Sequence, residues 1–269
     1  MINLKRNTKG EFVEAKGLRR DASIYKPFQK EVFKISRGKF SDFLACRRCF
    51  YLDRARGLIS PSVPGWTLNS TTDILLKKEF DICRERQEPH RIFQSFGITN
   101  VVPFQHGQID HWRDALRGGL EYYMADSNIL LHGGIDDIWV NQETQQVIVA
   151  DYKSQANTYP VTPHSYLSSS YHQTYKVQID FYVYLLTNMG FDVLDTAYFY
   201  VCNANRNADN FNGKLEFEET LIPYKWDIGW IPDEINNMVA VLNSADLPSI
   251  NPACENCAYS HQRSRLENN

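Results

Sequence analysis

Two Cys-x-x-Cys motifs near opposite ends of the chain constrain its fold more than any other feature. Cys46 and Cys49 form the first motif, and Cys254 and Cys257 form the second, more than 200 residues later. In a reducing compartment, paired motifs of this kind indicate metal binding before disulfide formation. Four thiolates close a zinc site or anchor an iron-sulfur cluster. We therefore expect a four-cysteine clasp that joins the amino- and carboxy-terminal regions; the alternative is cysteines that only pack.

The composition of the 269 residues favours a soluble globular protein. Hydrophobic residues make up 43% of the chain and aromatic residues 13%, which is enough for a substantial core. No apolar run approaches the roughly 18 residues that a membrane span requires. The first residues also lack the apolar stretch of a signal peptide, so the sequence predicts a cytoplasmic protein with no membrane association.

Charge is unevenly distributed along the chain. Residues 1–56 contain 15 Lys and Arg and 6 Asp and Glu, whereas residues 57–269 contain 14 and 26. A basic segment beside an acidic body suits a protein that contacts phosphate with one surface and binds cations with another. We predict a basic amino-terminal arm over 1–33 and one domain over 34–269. The alternative for the arm is a solvated, partly disordered tail.

Hydrophobic periodicity predicts alternating helices and strands. A first helix is expected from an N-cap at Ser41, and a second from Asn69 or Ser70 to about Arg86. The further expected elements are a helix at 110–120, strands at 129–140 and 146–152, a helix at 171–188, strands at 194–202 and 215–222, and a helix at 232–242. The middle of this series has the order β-β-α-β.

Acidic residues lie on the two neighbouring strands at 129–140 and 146–152. Asp151 and Lys153 are two residues apart, so they share a face of their strand, and Asp136 lies in the middle of the preceding strand. Two converging carboxylates beside an ammonium suit Mg²⁺ or Mn²⁺, which prefer oxygen ligands. The alternative for Asp151 and Lys153 is a surface ion pair at a strand end.

The helix expected over 171–188 carries a second polar pair. Gln178 and Tyr182 are four residues apart, so both side chains lie on one helix face. From there they can reach the acidic site or a nucleic-acid backbone. The alternative is an ordinary amphipathic helix with one polar stripe.

In this order the motifs resemble the RecB-like branch of the PD-(D/E)XK nuclease superfamily, and in particular its iron-sulfur-containing CRISPR-associated exonucleases. The resemblance covers most of residues 34–259. Cys46-Arg-Arg-Cys-Phe-Tyr-Leu52 is similar to the family motif Cys-Pro-Arg-Arg-Phe-Tyr-Leu, and Cys254-x-x-Cys257 to its cluster-binding tail. The remaining matches are Gly134-Ile-Asp136 with the first metal-binding aspartate, Asp151-Tyr-Lys153 with the Asp/Glu-x-Lys core, and Gln178-x-x-x-Tyr182 with the motif after the core.

The resemblance implies an α/β fold with a restriction-endonuclease-like core, which is a central mixed β-sheet flanked by helices, and a helical amino-terminal part. It implies metal-dependent phosphodiester hydrolysis. The implied catalytic residues are Asp136, Asp151, Lys153, Gln178 and Tyr182, and the implied metal ligands are Asp73, Asp136, Asp151 and the Tyr152 carbonyl. Arg47 and Arg48, together with the basic arm, are expected to contact the phosphates of nucleic acid; the alternative is that they are solvated helix residues.

The sequence departs from the family pattern in two places. The family takes one cluster cysteine from its first motif and three from its tail, whereas this tail has two, so Cys49 would supply the missing ligand. This arrangement leaves a [4Fe-4S] cluster and Zn²⁺ both open. The family also often has a His or Glu ligand on the helix before the core, and here Asp73 takes that place, with Glu79 as its competitor.

These features predict a Mg²⁺- or Mn²⁺-dependent DNA nuclease that acts on single strands or on DNA ends. The expected partners are DNA and a helicase or CRISPR-type protein. One alternative is a nucleic-acid-binding or scaffold protein that keeps the fold and the clasp without cleaving, and another is a redox protein that works through the cysteines. Trp66 and Trp139 are candidates for stacking on bases, although aromatic residues of this size are more often in a core.

Overall fold

The computed structural model describes residues 4–61, 65 and 67–268. The chain divides into two compact units. The first comprises Met1–Gly65, Met124–Leu130 and Pro232–Asn269, and the second comprises Trp66–Tyr123 and Leu131–Ile231. The division between an arm at 1–33 and a domain at 34–269 stays a prediction. Trp66 itself lies outside the described residues.

The structure is a mixture of helices and strands, as predicted. The helices are α1 Arg37–Ala45, α2 Arg47–Arg54, α3 Thr67–Arg86, α4 Arg91–Ser95, α5 Ile109–Arg113, α6 Pro163–Ser168, α7 Gln173–Asn188, α8 Ile231–Asn243 and α9 Glu255–Glu267. The strands are β1 Phe33–Ser36, β2 Val101–Pro103, β3 Leu120–Met124, β4 Ile129–Gly133, β5 Asp137–Asn141, β6 Val147–Gln155, β7 Thr196–Ala204 and β8 Phe217–Lys225. Within the described ranges no helix is long and apolar enough to cross a membrane.

The strands form two sheets. One has three strands in the order β1-β4-β3, and the other has five in the order β2-β5-β6-β7-β8. In the five-stranded sheet β6 and β7 are parallel and the other pairs are antiparallel. Parallel neighbours need a long crossover, which here includes α7. The predicted mixed sheet flanked by helices, and the order β5-β6-α7-β7, are therefore confirmed.

An aromatic core joins α3 to the five-stranded sheet in the second unit. Phe80 of α3 stacks on Trp139 of β5, with ring centroids 5.5 Å apart. Tyr152 of β6 and Tyr200 of β7 contact the same phenylalanine ring. Burial of these large rings contributes most of the hydrophobic stabilisation here. Trp139 is fully buried, so it is a core residue and does not stack on bases.

The strand expected over 129–140 is two strands, β4 and β5, which belong to different sheets. Gly134 and Asp136 therefore lie between strands and not in the middle of one. The break occurs where the backbone at Gly134 meets Ala115. A Cβ atom added to Gly134 would lie 2.6 Å from the Ala115 Cα atom, so only glycine fits.

Several helix boundaries also differ from the prediction. The first helix begins earlier than expected, because Ser36 and not Ser41 is the N-cap, and its hydroxyl accepts a hydrogen bond from the Lys39 amide. It also ends before Cys46, whose extended backbone separates α1 from α2. The helix expected over 110–120 ends at Arg113, and α9 was not predicted.

Candidate functional site

The hairpin of β5 and β6 brings the sequence-predicted acidic residues together. Its antiparallel register pairs Asp137 with Ala150. One step further, the Tyr152 amide donates a hydrogen bond of 2.8 Å to Oδ2 of Asp136. The Asp136 carboxylate is thus fixed beside the strand segment that carries Asp151. Because the donor is a backbone amide of β6, the register of the hairpin decides which residue holds the Asp136 carboxylate.

Asp151 and Lys153 form a buried ion pair. The Asp151 carboxylate is fully buried, and its Oδ2 atom contacts the Lys153 ammonium, whose side chain is 16% exposed. Within the described part of the chain, Oδ1 of Asp151 has no hydrogen-bond partner. Burial raises the pKa of Asp151 to about 7; Lys153 opposes the shift, whereas the neighbouring Asp136 charge adds to it. A surface ion pair does not have these properties.

Asp73 of α3 approaches the same cluster. Burial raises the pKa of Asp73, and repulsion from Asp136 adds to the rise, whereas Lys77 and Lys153 lower it. Lys77 lies one helical turn away, with its Nζ atom 3.0 Å from Oδ2 of Asp73. The charges of Asp136 and Lys153 both shift the pKa of Asp73, so Asp73 lies within electrostatic range of the acidic site.

Glu79, the competitor of Asp73 for the place on α3, lies elsewhere. Its Oε2 atom is 3.1 Å from Nε2 of His90 and 3.3 Å from a guanidinium nitrogen of Arg91. These contacts belong to an ion-pair cluster with His90 and Arg91. The role of Asp73 as the metal ligand from α3 stays a prediction.

Gln178 and Tyr182 of α7 are buried. The Tyr182 hydroxyl donates to the carbonyl of Gly134, two residues before Asp136. The Gln178 side-chain amide lies 3.5 Å from that hydroxyl. The structure thus places both residues against the backbone that carries Asp136, where they can hold it in position.

Behind the acidic cluster lies a buried polar network that the sequence did not indicate. The Tyr152 hydroxyl donates to Oδ2 of Asp137 at 2.8 Å, and the Arg84 guanidinium of α3 contacts Oδ1 of the same carboxylate. Arg84 also donates to the Phe104 carbonyl and contacts Asp81. Asp137 and Tyr152 are the immediate neighbours of Asp136, Asp151 and Lys153 in sequence, so the network fixes the backbone on which the cluster is built. The Tyr152 carbonyl accepts a hydrogen bond of 3.4 Å from Lys153.

The four cysteines lie together in the first unit. Sγ of Cys49 is 3.5 Å from that of Cys257 and 3.6 Å from that of Cys254, and Sγ of Cys46 is 3.7 Å from that of Cys257. Within residues 4–61, 65 and 67–268, no other group of three or more His, Cys, Asp or Glu residues has ligand atoms that all lie within 4.8 Å of one another. The predicted clasp between the two terminal regions is confirmed as a group compatible with metal binding. Asp73, Asp136 and Asp151 do not meet this criterion as a group.

Arg47 and Arg48, which the sequence suggested as phosphate contacts, have protein partners. Arg47 is half exposed and pairs with Glu234 at 3.3 Å. Arg48 donates to the Pro248 carbonyl at 3.0 Å. Their contact with nucleic acid stays a prediction.

Comparison with known proteins gives one match. The family model described as the PD-(D/E)XK nuclease superfamily matches residues 67–262, a span that contains Asp73, Asp136, Asp151 and Lys153. It covers more than half of the chain. No curated protein matches the sequence.

Proposed function

Because the chain belongs to the PD-(D/E)XK nuclease superfamily, we propose that it is a deoxyribonuclease that uses Mg²⁺ or Mn²⁺ to hydrolyse phosphodiester bonds. The superfamily suggests a nuclease; the choice of DNA, the preference for single strands or ends, and the metal dependence belong to this proposal. The single observation that carries it is the buried Asp151 carboxylate, which lies beside Lys153 and Asp136 and has an oxygen without a hydrogen-bond partner in the described chain.

The residues of the acidic cluster fit a hard divalent cation. A buried carboxylate oxygen without a partner is costly, and a cation offsets that cost. Carboxylate and carbonyl oxygens are the ligands that Mg²⁺ and Mn²⁺ prefer. Asp136 and Asp151 would hold the ion, together with Asp73 and the Tyr152 carbonyl. When bound there, such an ion supplies a water of lowered pKa and offsets charge on the phosphoryl oxygens.

In this proposal Lys153 acts on the reacting phosphate. Its ammonium lies against Asp151 and 4.8 Å from the centre of the Tyr175 ring, so its position is restricted on two sides. A fixed point charge in a water-poor site stabilises an anionic transition state more strongly than one in water. Tyr182 and Gln178 act through the Gly134 carbonyl and are positioning residues in this proposal.

The proposal predicts that cleavage depends on the Lys153 charge. Purified protein incubated with labelled single-stranded DNA and Mn²⁺ is expected to cut it, and EDTA is expected to stop the reaction. We expect Lys153→Met to lower the cleavage rate roughly 100-fold, because one preorganised charge is lost from the transition state. The matched control is Lys225→Met, since Lys225 pairs with Asp195 on an exposed surface. Gel-based rates in the presence of Mg²⁺ and Mn²⁺ measure the effect.

Two results would contradict this proposal. One is equal cleavage by the Lys153→Met variant and the wild type. The other is tight DNA binding that weakens steeply with salt, without turnover under any divalent ion, which is the behaviour of a non-cleaving binding protein.

We propose further that the four cysteines hold one Zn²⁺ ion. A tetrahedral site with Zn–S bonds of about 2.3 Å separates its sulfur atoms by about 3.8 Å. The three sulfur distances of 3.5, 3.6 and 3.7 Å agree with this geometry. A cluster of four irons and four sulfides is larger than one ion, and its cysteine sulfurs lie further apart. The distances thus favour zinc over the [4Fe-4S] cluster that the family resemblance implied.

Loss of this metal is expected to release α9. Cys257 is the buried residue of that helix, so the cysteines anchor it. We expect Cys257→Ser to increase trypsin cleavage at Arg263 and Arg265 about tenfold through local unfolding. Cys83→Ser is the matched control, because Cys83 lies outside the four-cysteine group. Metal analysis should give one zinc per wild-type chain; brown protein with labile sulfide would contradict the assignment.

A further inference from the structure

A cavity of about 470 Å³ lies next to the acidic cluster in the second unit. Its walls come from the carboxyl end of β6, the loop that follows, α6 and the short turn between α6 and α7. They include Gln155, Tyr159, Tyr166, Tyr171 and His172. Sites for small organic groups usually have volumes between about 300 and 1,000 Å³, so an aromatic base of a nucleotide fits here.

The cavity is linked to the acidic cluster along β6. Asp151, Lys153 and Gln155 occupy alternate positions of this strand, so their side chains lie on one face. Two residues of strand span about 7 Å, which places Gln155 at the cavity one step beyond Lys153. A nucleotide whose phosphate contacts Lys153 can therefore reach the cavity with a neighbouring base.

A series of aromatic contacts makes the same link. The Lys153 ammonium lies over the Tyr175 ring, and that ring stacks on His172 with centroids 5.3 Å apart. His172 in turn packs on Tyr166, at 4.1 Å. The last two rings belong to the cavity wall. Two contacts, from Lys153 to Tyr175 and from Tyr175 to His172, thus connect the ammonium that is proposed to stabilise the transition state with the cavity wall.

Two tyrosines at this cavity are exposed. The Tyr171 residue is 88% exposed and the Tyr159 residue 77%, although both belong to the same cavity lining. Ring faces held in water at a concave site are available for stacking, and every nucleic-acid base has a π-face. None of the described residues that line the cavity is acidic, so a polyanion meets no like charge there.

A buried polar group at the cavity also lacks a partner. Tyr166 is 2% exposed, and its hydroxyl has no hydrogen-bond partner among the residues that the structure describes. A buried hydroxyl is usually satisfied, and leaving it unpaired costs about 1–3 kcal/mol.

We propose that this cavity binds an unpaired base next to the phosphate that is cut, with Tyr171 and Tyr159 as stacking surfaces. The inference rests on the proposed nuclease function and specifies its substrate, because a base held in a duplex is stacked and paired and cannot enter the cavity. The site therefore selects single strands or frayed ends over intact duplexes.

The test is DNA binding measured without turnover. A fluorescein-labelled 12-nucleotide single strand and its blunt duplex are titrated with full-length protein in EDTA, and anisotropy is recorded. We expect Tyr171→Ala and Tyr159→Ala each to weaken single-strand binding about tenfold and to leave duplex binding unchanged. Tyr171→Phe is expected to retain wild-type binding, because it keeps the ring. Phe211→Ala is the matched control, since Phe211 is 67% exposed and lines a different cavity.

A second probe changes the DNA and is read first on the wild-type protein. In Mn²⁺, wild-type protein cleaves a labelled single strand, and the preferred bond is mapped. Replacing the base next to that bond by an abasic position is expected to lower kcat/KM about tenfold for the wild type and to have little effect on the Tyr171→Ala protein. Equal cleavage of the intact and abasic strands by the wild type would overturn the inference.

The outcomes separate this inference from the nuclease proposal. Cleavage by the wild type with unchanged single-strand binding in both alanine variants overturns the base cavity and leaves the nuclease proposal intact. Tyrosine-dependent binding of single strands without cleavage under any divalent ion supports the cavity and overturns hydrolysis.

Discussion

Asp151→Asn is expected to slow DNA cleavage about 1,000-fold. The substitution keeps the size of the side chain but removes the negative charge that Lys153 contacts and that would hold the divalent ion. Loss of one preorganised charge in a buried site costs about 10²–10³ in rate, and loss of a metal ligand adds to this. Steady-state rates in Mn²⁺ give the first readout, and calorimetric titration with Mn²⁺ gives a second that does not depend on turnover.

Asp195→Asn is the matched control for this change. Asp195 also pairs with a lysine, but its side chain is 71% exposed. Exposed pairs contribute about 0–1 kcal/mol, so this variant should cleave DNA and bind Mn²⁺ like the wild type. An Asp151→Asn protein that still binds Mn²⁺ with wild-type affinity would place the metal elsewhere.

Arg84→Met is expected to lower the free energy of unfolding by about 3–5 kcal/mol. Arg84 contacts the fully buried Asp137 carboxylate, and a methionine leaves that charge paired only by hydrogen bonds from Tyr152 and the Ile138 amide. Removing one partner of a buried pair is costly because the other charge stays out of water. Urea unfolding followed by circular dichroism measures the change.

The contrast with Arg91 makes this prediction specific. Arg91 pairs with Glu219 at a site where its side chain is 56% exposed, so Arg91→Met should change stability by less than about 1 kcal/mol. Adding Asp137→Asn to Arg84→Met should restore part of the lost stability, since the unpaired charge is then gone. If the double variant is less stable than Arg84→Met alone, the cost comes from lost packing and not from the buried charge.

The parts of the site that depend on local sequence could be predicted. Asp151 and Lys153 share a face because a strand has a period of two. The position of Asp136 beside them follows from the pairing of adjacent strands. The contact of Arg84 with Asp137 joins residues 53 positions apart on different elements. No periodicity encodes that contact, because it depends on how α3 packs on the sheet.

The errors in the predicted elements have a similar origin. The strand expected over 129–140 satisfies the apolar pattern throughout, and what divides it is the close approach of Ala115 to Gly134. Helix α9 was not predicted because it has no apolar stripe. Of its 13 residues, Cys257 is the buried one. The two Cys-x-x-Cys motifs identified the cysteine group, but the sulfur spacing is a property of the folded chain.

The alternation of side chains along the β5–β6 hairpin limits where residues can be inserted into this chain. Asp136 and Asp137 are consecutive, and their carboxylates have different partners. The Asp136 carboxylate belongs to the acidic cluster, and the Asp137 carboxylate contacts Arg84. Sliding β5 past β6 by a single residue would exchange their environments, so the chemistry and the scaffold would be lost together. Insertions belong in the turn between Asn141 and Gln146, where the strands end and the register is already set.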